Sequence, residues 1–255
     1  MLALKLLLLP SLICGLTLAG RRWGPAVAGW LSGLPIVAGP ILFFIAIEQG
    51  PAFGAAAAEG TLSGLVAVLA FIVGYAWTAT RRSWLVSALM GWFAYAVAVG
   101  LIYVLEPPLV VSAVVDVMAL WYAPRLLPKI GAPAIVSQLD YSEIAVRMLA
   151  GVALLLALTY FASGLGPRLS GLLAMFPTLG TVLAIFSHRH AGAEFAIHLL
   201  RGMVLGLYAF VAFTVVLVLS LTSFRTGTAF AFAIGSALAV QGIARMFVDR
   251  GVRNP

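Results

Sequence analysis

Charged side chains are scarce in this sequence. Of 255 residues only 9% are Asp, Glu, Lys or Arg, against about 25% in a soluble domain. With 63% of the chain apolar, that shortage excludes a water-soluble globular protein and leaves no room for a separate soluble domain. Cysteine is nearly absent. Cys14 stands alone inside the first apolar segment, so neither a disulfide framework nor a cysteine metal site can be built. Histidine occurs only at 188, 190 and 198. No glycine-rich phosphate loop, nucleophile elbow or Ser-His-Asp spacing occurs, so the common enzyme signatures are missing and no cofactor is expected.

What the chain does have is a series of apolar runs long enough to cross a hydrocarbon core of about 30 Å. Its net charge of +7 does not point to nucleic acid, because the basic residues sit singly or in pairs at the ends of those runs, where they act as topology signals. The first nineteen residues have the outline of a leader, with Lys5 followed by an apolar core. Because the same stretch recurs internally, it is read as a helix.

That recurrence is the most informative feature. Sliding the sequence by 142 residues sets Gly24-Pro25 on Gly166-Pro167, Gly29 on Gly171, Pro35 on Pro177, Gly50 on Gly192 and Phe53 on Phe195. Residues 24 to 75 give fifteen identities in 52 ungapped pairs. Upstream, Lys5 falls on Arg147. The pattern predicts an all-α membrane protein with three parts: a four-helix repeat over 1–105, a connecting helix and linker over 106–143, and a second four-helix repeat over 144–255. Helices are predicted near 2–19, 24–47, 52–79, 84–105, 107–123, 144–162, 166–187, 193–222 and 227–247.

Positive charges decide whether the middle run crosses. If it does, the protein has nine transmembrane helices and twelve basic residues share one side, leaving Lys5, Arg168 and Arg225 on the other. If it does not, the best division is nine against six. The first arrangement places the N-terminus outside and the C-terminus in the cytoplasm. An odd number of crossings before the second repeat also inverts it relative to the first.

The second helix of each repeat is interrupted at the same place. Pro35 and Pro177 lie about eleven residues in, roughly mid-bilayer at 1.5 Å per residue. A proline cannot donate to the carbonyl four residues back, so the Leu31 and Leu173 carbonyls are expected to be freed where no water can satisfy them. Paired broken helices in inverted halves point to a transport site, with Ser32, Pro35, Gly39, Pro177, Thr178 and Thr181 as binding residues. Kinking prolines of no functional consequence are the plain alternative. Gly60-x3-Gly64 and Gly202-x3-Gly206 read as helix-packing motifs.

Few polar groups remain for coupling. Asp116 is the one acid near the centre of an apolar run, at an insertion cost of about 2.5–3.5 kcal/mol. It is a candidate proton carrier, as is Glu48 near the outer mouth; a structural bond to a hydroxyl or an arginine is the alternative for Asp116. Glu59 is the counterpart of Arg201, and Glu194, His198 and Arg201 are spaced to share a helical face as a mutually paired cluster or gate. His188, His190 and Glu194 fit no metal motif, and repeat one has no histidine, so no metal is expected.

The run Ser170-Gly171-Leu172-Leu173-Ala174-Met175-Phe176-Pro177-Thr178, with His188 and Leu199-Leu200-Arg201 downstream, resembles the GlpM-type small inner-membrane proteins of proteobacteria. Arg147 matches a basic residue near that family's start. In repeat one the motif becomes Leu34-Pro35-Ile36, the histidine has no equivalent and the arginine becomes Glu59. The resemblance implies a four-helix unit that has been duplicated, fused and inverted, in a bacterial inner membrane; it implies no substrate. The expectation is a small secondary transporter of an organic or amphipathic solute. A non-transporting accessory protein of envelope or polysaccharide assembly, an intramembrane enzyme and a lipid flippase are the rivals. The expected partners are the bilayer and a small solute, with a homodimer as one assembly.

Overall fold

The structure, a computed structural model, describes residues 2–131, 141–162 and 175–253. Among them it is all helix, with no strand: α1 (Leu2–Trp23), α2 (Pro25–Ser32), α3 (Ala38–Gln49), α4 (Pro51–Ser63), α5 (Leu65–Ala79), α6 (Trp84–Leu105), α7 (Leu109–Leu126), α8 (Tyr141–Ala162), α9 (Thr178–Leu221) and α10 (Thr226–Arg253). This is an all-α, multi-pass membrane protein. Seven of the described helical stretches are long and apolar enough to cross a membrane, the middle helix α7 among them.

The difference from nine expected crossings has two local causes. One predicted helix is observed as the short pair α2 and α3, neither long enough alone. Another pair is joined in α9, whose 44 residues contain a sharp corner at Gly192. The counterpart of α2, near 166–174, lies outside the described residues.

Three glycines make corners of a single residue. Gly24 (φ 92°, ψ 164°), Gly50 (φ 92°, ψ 161°) and Gly192 (φ 87°, ψ 171°) adopt nearly the same conformation, one that is essentially closed to residues bearing a Cβ. At Gly24 and Gly50 the next residue is a proline at the first helical position, where its missing N–H would be unpaired anyway. The flanking helices fold back as hairpins: Gly20 meets Ala28 and Gly54 meets Ala46.

Close packing without a hydrophobic driving force needs small residues. Here α2 lies directly on the 199–206 stretch of α9. A Cβ on Gly29 would fall 1.8 Å from the Leu199 oxygen, one on Gly202 2.1 Å from the Ala26 oxygen, and one on Gly206 2.2 Å from the Trp30 oxygen. The Gly202-x3-Gly206 motif is thus a backbone-on-backbone contact, and its partner is Gly29-x3-Gly33. Gly64 packs on Met175, whereas Gly60 meets nothing among the described residues.

One end of the bundle gathers basic side chains. Arg21, Arg147 and His190 line a common water-sized cavity there of about 30 Å³. Trp77 Nε1 donates to the Leu126 oxygen, and Arg201 to the Pro128 oxygen. So α1, α5 and α7 end where α8 and the 193–221 part of α9 begin. Helices α1 and α8 run antiparallel, with Ile13 against Gly151.

Candidate functional site

The two prolines build the same turn. At the first break, Ile36 N donates to Leu34 O (2.8 Å) and Gly39 N to Pro35 O (2.7 Å); at the second, Thr178 N donates to Phe176 O (2.7 Å) and Thr181 N to Pro177 O (2.7 Å). Every one of these atoms maps onto its counterpart by 142 residues. Pro177, at φ −75° and ψ 60°, centres an inverse γ-turn, a three-residue turn that suits the fixed φ of proline. The helix restarts at Thr178 directly after the second proline and at Ala38 after the first, instead of kinking through the proline.

The freed carbonyl expected at Leu31 is in fact occupied. Leu34 N donates to it at 3.2 Å, tightening the end of α2 into a 3₁₀-type turn. The Ser32 hydroxyl donates to Gly29 O at 2.6 Å. Leu173 lies outside the described residues.

Between the breaks is a cavity of about 160 Å³. Its wall includes equivalent residues of both halves: Gly33 and Met175, Leu34 and Phe176, Ile36 and Thr178. Val37 and Leu179, Ala38 and Gly180, and Val68 and Phe210 are further such pairs in it. Ser32, Pro177 and Thr178 of the expected binding residues face it. Pro35 and Gly39 do not; they line a larger cleft of about 740 Å³ behind the first break. Thr181 is turned toward Trp92, whose Nε1 donates to its hydroxyl at 3.4 Å.

The contacts around this cavity are reciprocal. Gly33 packs on Gly206 while Met175, the counterpart of Gly33, packs on Gly64, the counterpart of Gly206. Ile13 packs on Gly151 of α8, the counterpart of Leu9, and Leu9 and Leu155 face the cavity together.

Asp116 lies on the inner face of α7 with Ser112, Leu120 and Ala123. It is fully buried, and neither carboxylate oxygen has a hydrogen-bond partner among the described residues. The nearby hydroxyls are engaged elsewhere: Ser112 Oγ shares a 2.9 Å bond with Ser63 Oγ and also reaches Pro107 O. Glu48 is exposed at the end of α3, and Glu59 is half-buried on α4.

The expected cluster of Glu194, His198 and Arg201 takes a different form. His198 Nε2 lies 2.9 Å from Gly131 O, and Arg201 donates to Pro128 O at 2.8 Å. Among the described residues no ion pair joins the three, because the chain following α7 offers carbonyls closer than the side chains offer one another. His188, His190 and Glu194 likewise do not converge. His188 Nδ1 lies 3.3 Å from the Tyr75 hydroxyl, His190 stacks on Phe186 and lies 3.6 Å from Glu143, and Glu194 is exposed beside Gly131.

Sequence reasoning passed over two features. Arg147 is only 4% exposed; it is paired with Glu143 and stacked on the Phe186 ring at 5.4 Å. Trp92, Tyr95 and Phe176 form an aromatic group beside the second break. Comparing the fourth helices of the two halves position by position would have exposed the second. Set against protein-family models, curated proteins and solved structures, the chain matches none.

Proposed function

We propose that the protein is a small secondary transporter whose two halves are inverted copies rocking about the cavity between the Pro35 and Pro177 breaks. The observation that carries this reading is the pair of matched γ-turns facing one cavity. The reciprocal contacts of residues 33 with 206 and 175 with 64 are those a two-fold relation would generate. Opposite running directions of α1 and α8 agree with an axis in the membrane plane.

In this reading Ser32, Pro177 and Thr178 touch an organic or amphipathic solute in the cavity. Pro35 and Gly39 shape the wall from behind, and Thr181 holds the second break against Trp92. Asp116 is the proton carrier. A carboxyl with no partner in the bilayer interior is tolerated when it takes up a proton, and such groups mark proton pathways. Glu48, exposed at the far mouth, is the alternative carrier. The membrane is the bacterial inner membrane, and the basic end is cytoplasmic.

Purified protein in liposomes under an imposed pH gradient, screened against solute classes, tests the proposal. Gradient-driven uptake that Pro35→Ala and Pro177→Ala both reduce is the expected result. Failure of every class to respond to the gradient would remove the carrier reading.

A further inference from the structure

The surroundings of the two breaks differ in their aromatic residues. Phe176 at the second break packs against Trp92 (6.1 Å between ring centroids) and Tyr95 (5.2 Å) of α6. Shifting by 142 residues, the counterparts of Phe176, Trp92 and Tyr95 are Leu34, Ile234 and Ala237. All three line the cleft of about 740 Å³ between α3 and α10. Three aromatic side chains on one side are aliphatic on the other, whereas at Phe43 and Phe230, which also line the cleft, the exchange runs the other way, their counterparts being Ile185 and Ala88.

The cleft is lined entirely by apolar residues, Pro35, Phe43, Phe213 and Phe230 among them. Water finds few groups to bond to there, whereas hydrocarbon fits an apolar surface between membrane-embedded helices. At about 30 Å³ per water-sized group, the space takes about two dozen such groups, ample for one acyl chain. Leu34 and Ile36 line both this cleft and the cavity between the breaks, so the 34–36 segment and the start of α3 form the wall between them.

We infer that the cleft between α3 and α10 holds the acyl chain of a membrane lipid, whose polar head lies toward Ser32 and Thr178 in the adjoining cavity. The carried molecule is then lipid-like and enters sideways from the bilayer. This deepens the carrier reading and rests on it for the role of the cavity, while occupancy of the cleft stands apart from transport.

The test uses full-length protein in phosphatidylcholine and phosphatidylglycerol vesicles doped with a phospholipid bearing a diazirine near the end of one acyl chain. After photolysis, labelled residues are mapped by mass spectrometry. Phe230, only 5% exposed, should be labelled more heavily than Phe93 on the open face of α6. Leu34→Phe, Ile234→Trp and Ala237→Tyr together should lower Phe230 labelling and leave Phe93 unchanged. The reciprocal variant, Phe176→Leu with Trp92→Ile and Tyr95→Ala, should create new labelling beside Pro177, so a misfolded first variant does not end the test. Phe230 labelled no more than Phe93 in the unaltered protein, or labelling indifferent to both variants, overturns the inference. Heavy labelling with no lipid or solute moved in flux assays keeps the tail site and removes the carrier. Gradient-driven solute uptake with an unlabelled cleft does the reverse.

Discussion

Replacing Gly206 with alanine places a methyl group 2.2 Å from the Trp30 carbonyl oxygen and 2.8 Å from the Gly33 Cα. Relaxed carbon contacts lie at about 3.5–4.0 Å, so α2 and α9 must part by roughly 1 Å or more. Both obstructing groups are main chain, which no rotamer change can move aside. Overpacking costs about 1–3 kcal/mol, and this site belongs at the upper end. Gly100, inside α6, provides the comparison: nothing described lies within 4 Å of its would-be Cβ, so alanine there should gain up to about 1 kcal/mol of helix propensity. The two substitutions are chemically identical and should differ by about 3 kcal/mol in unfolding free energy, measured by titrating SDS into mixed micelles and following helicity. Equal stabilities would refute the claim that α2 and α9 touch through their backbones.

Asp116→Asn should abolish the response of uptake to a pH gradient in liposomes and leave the protein no less stable, since the carboxyl makes no bond among the described residues; retained coupling would exclude Asp116. Glu143→Gln leaves the buried Arg147 without its counter-charge and should cost about 3–5 kcal/mol by the same SDS titration, with Glu143→Gln/Arg147→Met recovering most of the loss. Trp92→Phe deletes the bond to Thr181 and also shrinks the ring packed on Phe176, an expected loss of about 1–3 kcal/mol by the same titration. With Cys14 replaced by alanine, a cysteine at Lys129 should resist a membrane-impermeant maleimide in intact cells while one at Glu106 reacts; the opposite pattern would invert the proposed orientation.

The sequence makes the helical framework legible because apolar length and charge placement leave little choice. Trp84–Leu105 is found as predicted, and the interruption at Pro35 is where a missing N–H demands one. The manner of the break was not legible. A proline flanked by glycine and β-branched residues suits a kink as well as a γ-turn, and the decision rests on the packing of α2 against α9. Hidden too were the partners of His198 and Arg201, since a backbone carbonyl at residue 128 or 131 carries no side-chain signature. The unfilled cleft escaped for another reason. Only a comparison of unlike residues shows it, and repeat detection looks for identities.

The single-residue corners at Gly24 and Gly50 bear on how the finished fold can move. A helix that ends at Gln49 and another that begins at Pro51 have no slack between them. Neither can tilt or slide without carrying the other, so α3 and α4 act as one rigid hairpin. Lengthening that corner with a flexible insert would free each helix to shift alone.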